Sequence, residues 1–86
     1  MNLIETERFK KAYKSLSDET KTRVKNALRM LVVNMRHPSL HTKKIKGTKD
    51  IWEARVSLDY RLTFQIFKDY LILRNVGHHD PALKNP

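Results

Sequence analysis

Glu53, Arg55 and Arg61 flank a turn near Asp59, and His78 and His79 follow Gly77 further along the chain. Two guanidiniums, a carboxylate and an imidazole brought near one another can do chemistry on a phosphate. At period two, Arg55 and Arg61 fall on one face of adjacent strands. Guanidiniums held together repel unless an anion sits between them, and a phosphate supplies that anion with matching fork geometry. Pairing of each arginine with Glu53 or Asp59 on a wet surface is the plain structural alternative, and exposed pairs of that kind are weak. A carboxylate beside guanidiniums stays ionised, so Glu53 suits a general base or an anchor for arginine. Strand parity puts His79 on the side of Asn75 and Gly77, where an imidazole can protonate a leaving oxygen near neutral pH. Asp80 would then fix its tautomer. His78, of opposite parity, and Gln65 are secondary candidates. Neighbouring strand residues point to opposite faces, and His37 and His41 stand at no ligand spacing to them, so no metal site and no cofactor are expected.

The elements that must position these groups follow from hydrophobic period. Trp52, Ala54, Val56 and Leu58, then Tyr60, Leu62, Phe64 and Ile66, make the oily face of two strands, and Glu53, Arg55, Ser57, Arg61, Thr63 and Gln65 the polar one. A third strand, from Tyr70 to Val76, follows a Lys68–Asp69 turn. Upstream, Phe9, Ala12, Tyr13 and Leu16 recur at helical spacing, which predicts a helix from about Thr6 to Leu16 with Glu5 and Glu7 in its first turn. Ser17 caps a second helix whose stripe is Val24, Ala27, Leu28, Leu31, Val32 and Met35, ended by His37-Pro38. Asn2-Leu3-Ile4 is either a short strand that joins the sheet or a lead-in. A polar connector spans Ser39 to Asp50, and the tail from Pro81 to Pro86 is expected to be irregular. The resulting fold is α+β: two antiparallel helices on a mainly antiparallel sheet, ordered β-α-α-β-β-β, in one domain over residues 1–86. The helices would cover one sheet face and leave the polar face free for a ligand.

Composition narrows the partners. The 86 residues hold 18 Lys and Arg against nine Asp and Glu, a net charge of +9. No acid lies between Thr20 and Lys49, whereas Lys21, Arg23, Lys25, Arg29, Arg36, Lys43, Lys44, Lys46 and Lys49 do. Such a stripe suits nucleic acid or an acidic partner, or else is a solvated face. The run from Lys43 to Lys49 lacks the spacing of a phosphate-binding P-loop, so backbone contact to nucleic acid is its expected use. The absence of cysteine, of a secretory signal and of any long apolar run points to a soluble, cytoplasmic protein with no membrane partner.

The segments Lys-Ile-Lys-Gly, Ile-Trp-Glu-Ala-Arg-Val, Asp-Tyr-Arg-Leu-Thr-Phe-Gln-Ile and Val-Gly-His-His-Asp, in that order, resemble the RelE/ParE superfamily of toxins from toxin–antitoxin pairs, RelE-type mRNA interferases above all. That resemblance spans almost the whole chain and implies an endoribonuclease. RelE-like members enter the ribosomal A site, where the ribose 2′-hydroxyl attacks its own phosphodiester to give a 2′,3′-cyclic phosphate. It places Arg61 at the arginine that stabilises phosphate charge and Arg55 at the basic position near the nucleophile. His79 falls where relatives carry Arg or His, the latter as general acid. Glu53 stands where RelE has a lysine, and Leu83 is the nearest apolar residue to the terminal aromatic that stacks on a base in several relatives. The implied partners are a cognate antitoxin, the 70S ribosome and mRNA, with operator DNA bound only by the toxin–antitoxin complex. Ribosome contact is expected from Arg29, Lys43, Lys44, Lys46 and Lys49. Two rivals share the fold: a ParE-type poison of DNA gyrase without nuclease chemistry, and a degenerate member that binds only antitoxin and operator.

Overall fold

The computed structural model describes residues 1–86. Strand β1 (Asn2–Glu5) leads into helices α1 (Glu7–Lys14) and α2 (Asp18–Val33), and a 3₁₀ turn (Pro38–Leu40) into strands β2 (Lys43–Lys44), β3 (Trp52–Arg55), β4 (Tyr60–Phe67) and β5 (Tyr70–His78). A last helix, α3 (His79–Lys84), closes the chain. The five strands form one sheet in the order β1-β5-β4-β3-β2, antiparallel except where β1 runs parallel to β5. The expected α+β arrangement is therefore present, with Asn2-Leu3-Ile4 in the sheet. No helix is long and apolar enough to cross a membrane.

Capping chemistry sets the helix starts. The Thr6 hydroxyl accepts from the Phe9 N–H (3.1 Å) and donates to the Leu73 carbonyl (2.7 Å), which fixes α1 to the sheet. Ser17 accepts from the Thr20 N–H (3.2 Å) at the start of α2. Both helices are shorter than expected: Glu5 belongs to β1, and α2 stops at Val33 because Asn34 turns extended and its side chain accepts from the Arg36 N–H. Phe9, Val24, Ala27 and Leu31 from the helices meet Leu40, Ala54, Leu62, Phe64, Leu71, Leu73 and Val76 in one buried cluster.

Leu73 and Val76 both face this core although they are three residues apart. A bulge opposite Thr63 absorbs the extra residue: Leu73 pairs with Phe64 and Val76 with Leu62, which leaves Arg74 inserted. Two members of the expected oily face do not pack as expected. β3 ends at Arg55, so Leu58 lies in the connecting loop and is 73% exposed. Trp52 sits near the sheet edge, opposite Lys44 on the two-residue strand β2, and is only half-buried against the core.

The polar face is not free, and the tail is not irregular. Residues 79–84 are helical and α3 packs on β4 and β5 through buried Ala82. The following carbonyls take up the polar side chains of that face: Pro86 O accepts from Thr63 Oγ1 (2.9 Å) and Arg74 Nε (3.2 Å), and Asn85 O from Asn75 Nδ2 (3.1 Å) and from Arg8. Thr63 is consequently fully buried. The β2–β3 end of the polar face remains open.

Candidate active site

At that open end lies a cleft of about 360 Å³ lined by His41, Thr42, Lys43, Glu53, Arg55, Arg61 and His79. Each strand contributes through its register. Arg55 and Arg61 are directly opposed on β3 and β4, and Glu53 lies between Lys43 on β2 and Thr63 on β4. Like charges placed opposite one another repel. Here the two guanidiniums are drawn apart by separate partners. Arg61 is 15% exposed, and its Nη1 donates to the carbonyls of Ser57 (2.8 Å), Leu58 (3.2 Å) and Tyr60 (3.0 Å) while Nε faces Glu53 Oε1 at 3.9 Å. Arg55 reaches instead to His41, with Nη1 3.3 Å from Nε2. Three cations thus face one carboxylate, whose ion pair within 4 Å is with Arg61.

His79 is the first residue of α3 rather than a strand end. Its backbone N–H donates to the Asp59 carbonyl (2.7 Å), so the loop between β3 and β4 ties the start of α3 to the mouth of the cleft. Its Nδ1 lies 2.9 Å from Asp80 Oδ1. That hydrogen bond, the charge interaction with His79 and, further off, Lys84 hold the Asp80 carboxyl below its ordinary 3.8. A depressed carboxyl contributes stability above the ordinary carboxylate range and loses it as pH falls through the lowered value. In an NMR titration Asp80 should therefore have its midpoint below 3.8 in the wild type. Replacing His79 with Asn should return it towards the ordinary value, and an unmoved midpoint would show that His79 is not its partner.

The other sequence candidates are dispersed. His78 does not line the cleft and packs on Tyr60, ring centroids 4.4 Å apart, with Nε2 3.2 Å from the phenol oxygen. Gln65 is held by Arg74 Nη1 at 2.8 Å and does not line the cleft. Lys43 lines it, whereas Lys44 pairs with Asp50 at 3.1 Å. Lys46 and Lys49 flank Gly47, whose φ of 78° makes the turn of the connector. Arg29 does not join them: it lines a hollow with Leu3 and Val33, beside β1 at the opposite edge of the sheet from β2. The basic stripe is therefore split between two edges.

Sequence reasoning missed His41. The signal was in the register, because extending the Lys43–Glu53 pairing by two residues sets His41 opposite Arg55. The Thr42 hydroxyl beside it is buried without a partner. No cluster of His, Cys, Asp or Glu is suited to a metal ion.

A family model for the ParE toxin of the parDE type II toxin–antitoxin system matches residues 3–82, nearly the whole chain. The chain belongs to this toxin family. Solved structures share its fold. The toxin of the intact Escherichia coli RelBE toxin–antitoxin complex superposes with a TM-score of 0.74 at 22% identity, over 92% of this chain and 96% of that one. The YoeB/ParE toxin from Agrobacterium tumefaciens gives 0.79 at 14% identity, over 92% and 99%. The RelB–RelE complex from Methanococcus jannaschii gives 0.68 at 25% identity, over 87% and 88%. No curated protein sequence matches significantly. The toxin's cleft thus stands on a fold common to RelE-, YoeB- and ParE-named proteins.

Proposed function

We propose that this toxin is a ribosome-dependent mRNA endonuclease held inactive by a cognate antitoxin. The observation that carries the reading is the convergence of Arg55, Arg61, Lys43 and His79 on one cleft that Glu53 only partly neutralises. A scissile phosphate seated there meets positive charge already in place, which is the largest contribution to expect for a phosphorane transition state. His79, fixed through Nδ1 by Asp80, keeps Nε2 for the leaving 5′ oxygen. Glu53, buried against Arg61, acts as the anchor of that arginine. The antitoxin partner is supported by the solved complexes of RelE-type toxins with RelB. The match to the ParE model supports the rival, a gyrase poison without nuclease chemistry.

Induced expression in cells separates the two. The nuclease reading expects immediate arrest of translation with mRNA cut in ribosome-bound codons, whereas DNA breaks with translation intact would establish the gyrase reading. The same cells expressing toxin with an antitoxin should show neither. Ribosome affinity should also depend on the connector. Lys46→Ala and Lys49→Ala should each lower the salt slope of binding by about one, as expected for one lost phosphate contact. Lys44→Ala should change it less, because Asp50 already pairs with that ammonium. Slopes unchanged from wild type in all three would make the connector a solvated loop.

A further inference from the structure

We propose that His41 is the general base that takes the 2′-hydroxyl proton, opposite His79 as general acid. This rests on the nuclease reading and names the group that starts its reaction. The carboxylate that the sequence offers for the task is the less accessible group: Glu53 is only 6% exposed in its side chain and lies 3.9 Å from Arg61 Nε. Of the other groups that line the cleft, Lys43 and Arg55 are cations, and Thr42 keeps a buried hydroxyl. Besides Glu53, only the imidazoles of His41 and His79 offer lone pairs to the open cleft, and His41 is the exposed one on the Arg55 side.

Its placement is built into the fold. Leu40, fully buried, pins the 3₁₀ turn to the core. His41 then turns left-handed at φ 46° with its N–H on the Pro38 carbonyl, and β2 begins two residues later. The imidazole is thereby carried over the end of β3, with Nε2 3.3 Å from Arg55 Nη1. Guanidinium has donors only, so this contact requires a lone pair on Nε2. The two histidines consequently have complementary hydrogen-bond chemistry. His41 presents a lone pair to a cation, and His79 presents an N–H to the Asp80 carboxylate.

The step balances without any co-reactant. A phosphate entering between Arg55 and Arg61 draws the Arg55 fork to its oxygens and releases His41 Nε2. That nitrogen takes the 2′ proton as the O2′–P bond forms. The P–O5′ bond breaks, and protonated His79 gives its Nε2 proton to O5′. The products are a 2′,3′-cyclic phosphate and a free 5′-hydroxyl, and solvent exchange resets both imidazoles. The charged groups that face His41 during this step are Lys43 from β2, Glu53 and Arg55 from β3, Arg61 from β4 and His79 from α3.

The test is single-turnover cleavage of ribosome-bound mRNA across about pH 5 to 9, the range over which imidazole changes charge. Wild type should give a bell-shaped profile. His41→Asn suits the left-handed backbone, since asparagine tolerates positive φ, and its amide oxygen still accepts from Arg55. It should melt and bind ribosomes like wild type, cleave about 10²–10³-fold more slowly, and lose the acid limb. His41→Asp should recover part of the rate, with the acid limb displaced to lower pH. A message with sulfur replacing the 5′ oxygen needs no acid for its leaving group. It should restore His79→Asn and leave His41→Asn slow. If His41→Asn cleaves within about threefold of wild type or keeps the acid limb, or if sulfur rescues it, His41 is not the base. A wild type that cuts no message on ribosomes overturns the nuclease reading itself, and this proposal with it.

Discussion

Arg61→Ala is expected to abolish cleavage and to destabilise the toxin as well. Its role in the reaction is to place charge at the phosphate, and removing one preorganised donor of this kind costs about 10²–10³ in rate. At the sequence level Arg61 stands on an exposed face, where alanine would leave folding untouched. The structure overturns that expectation. The side chain is 15% exposed and closes the loop between β3 and β4 by donating to Ser57, Leu58 and Tyr60 carbonyls. Alanine would also strand the Glu53 carboxylate, itself 6% exposed. Breaking a buried pair by removing one partner costs about 3–5 kcal/mol. The 3.9 Å separation makes the lower end the better expectation. Denaturant melts of Arg61→Ala and of Arg61→Ala with Glu53→Gln should differ, because the double variant strands no charge. If both melt with the wild type, Arg61 is not the keystone of the loop. Loss of cleavage in Arg61→Ala then has to be read beside its stability, with Arg61→Lys as the variant that keeps the charge but not the fork.

Phe64→Ala is expected to cost about 3–5 kcal/mol, the usual cost of truncating a fully buried aromatic. Phe64 is fully buried, centred on β4, and is paired with both Trp52 and Leu73. Sequence pattern alone assigns a cost of that size to Trp52, the largest side chain on the oily face. Trp52 instead sits near the edge of the sheet with part of its ring in solvent, so Trp52→Ala should cost clearly less. Comparison of the two midpoints at constant m-value decides the matter. A larger loss in Trp52→Ala would mean that the β2 edge, not the centre of β4, holds the core together.

Much of the frame was legible because local patterns report which face of an element is apolar. Phe9, Val24, Ala27 and Leu31 repeat at helical spacing, and Ala54, Leu62 and Phe64 at strand spacing, and all are buried. The α+β order followed from those periods, and the opposed arginines from the hairpin between them. Parity separated His79 from His78 on the expectation of a strand end, whereas His79 begins α3 and both histidines line one hollow beside Asp59.

Other features depend on contacts between distant segments, which no local period encodes. Period two places Glu53 on the polar face, but only the return of α3 and the approach of Arg61 make that face an interior. The tail looked structureless because six residues with a proline carry almost no helical period. Its helix exists because Ala82 and the Asn85 and Pro86 carbonyls find partners on β4 and β5. Arg29 shares a charge run with the lysines, yet the order β1-β5-β4-β3-β2 sets them at opposite edges. His41 meets Arg55 across a two-residue strand and a left-handed turn, features too short to read from hydrophobicity. The sequence by itself determined α1, α2 and the three long strands, most of their buried faces, the net positive charge and most of the reactive groups. Strand order and the docking of α3 decided which of those groups share a cleft, because proximity between remote residues is set by the sheet's pairing and not by their spacing along the chain.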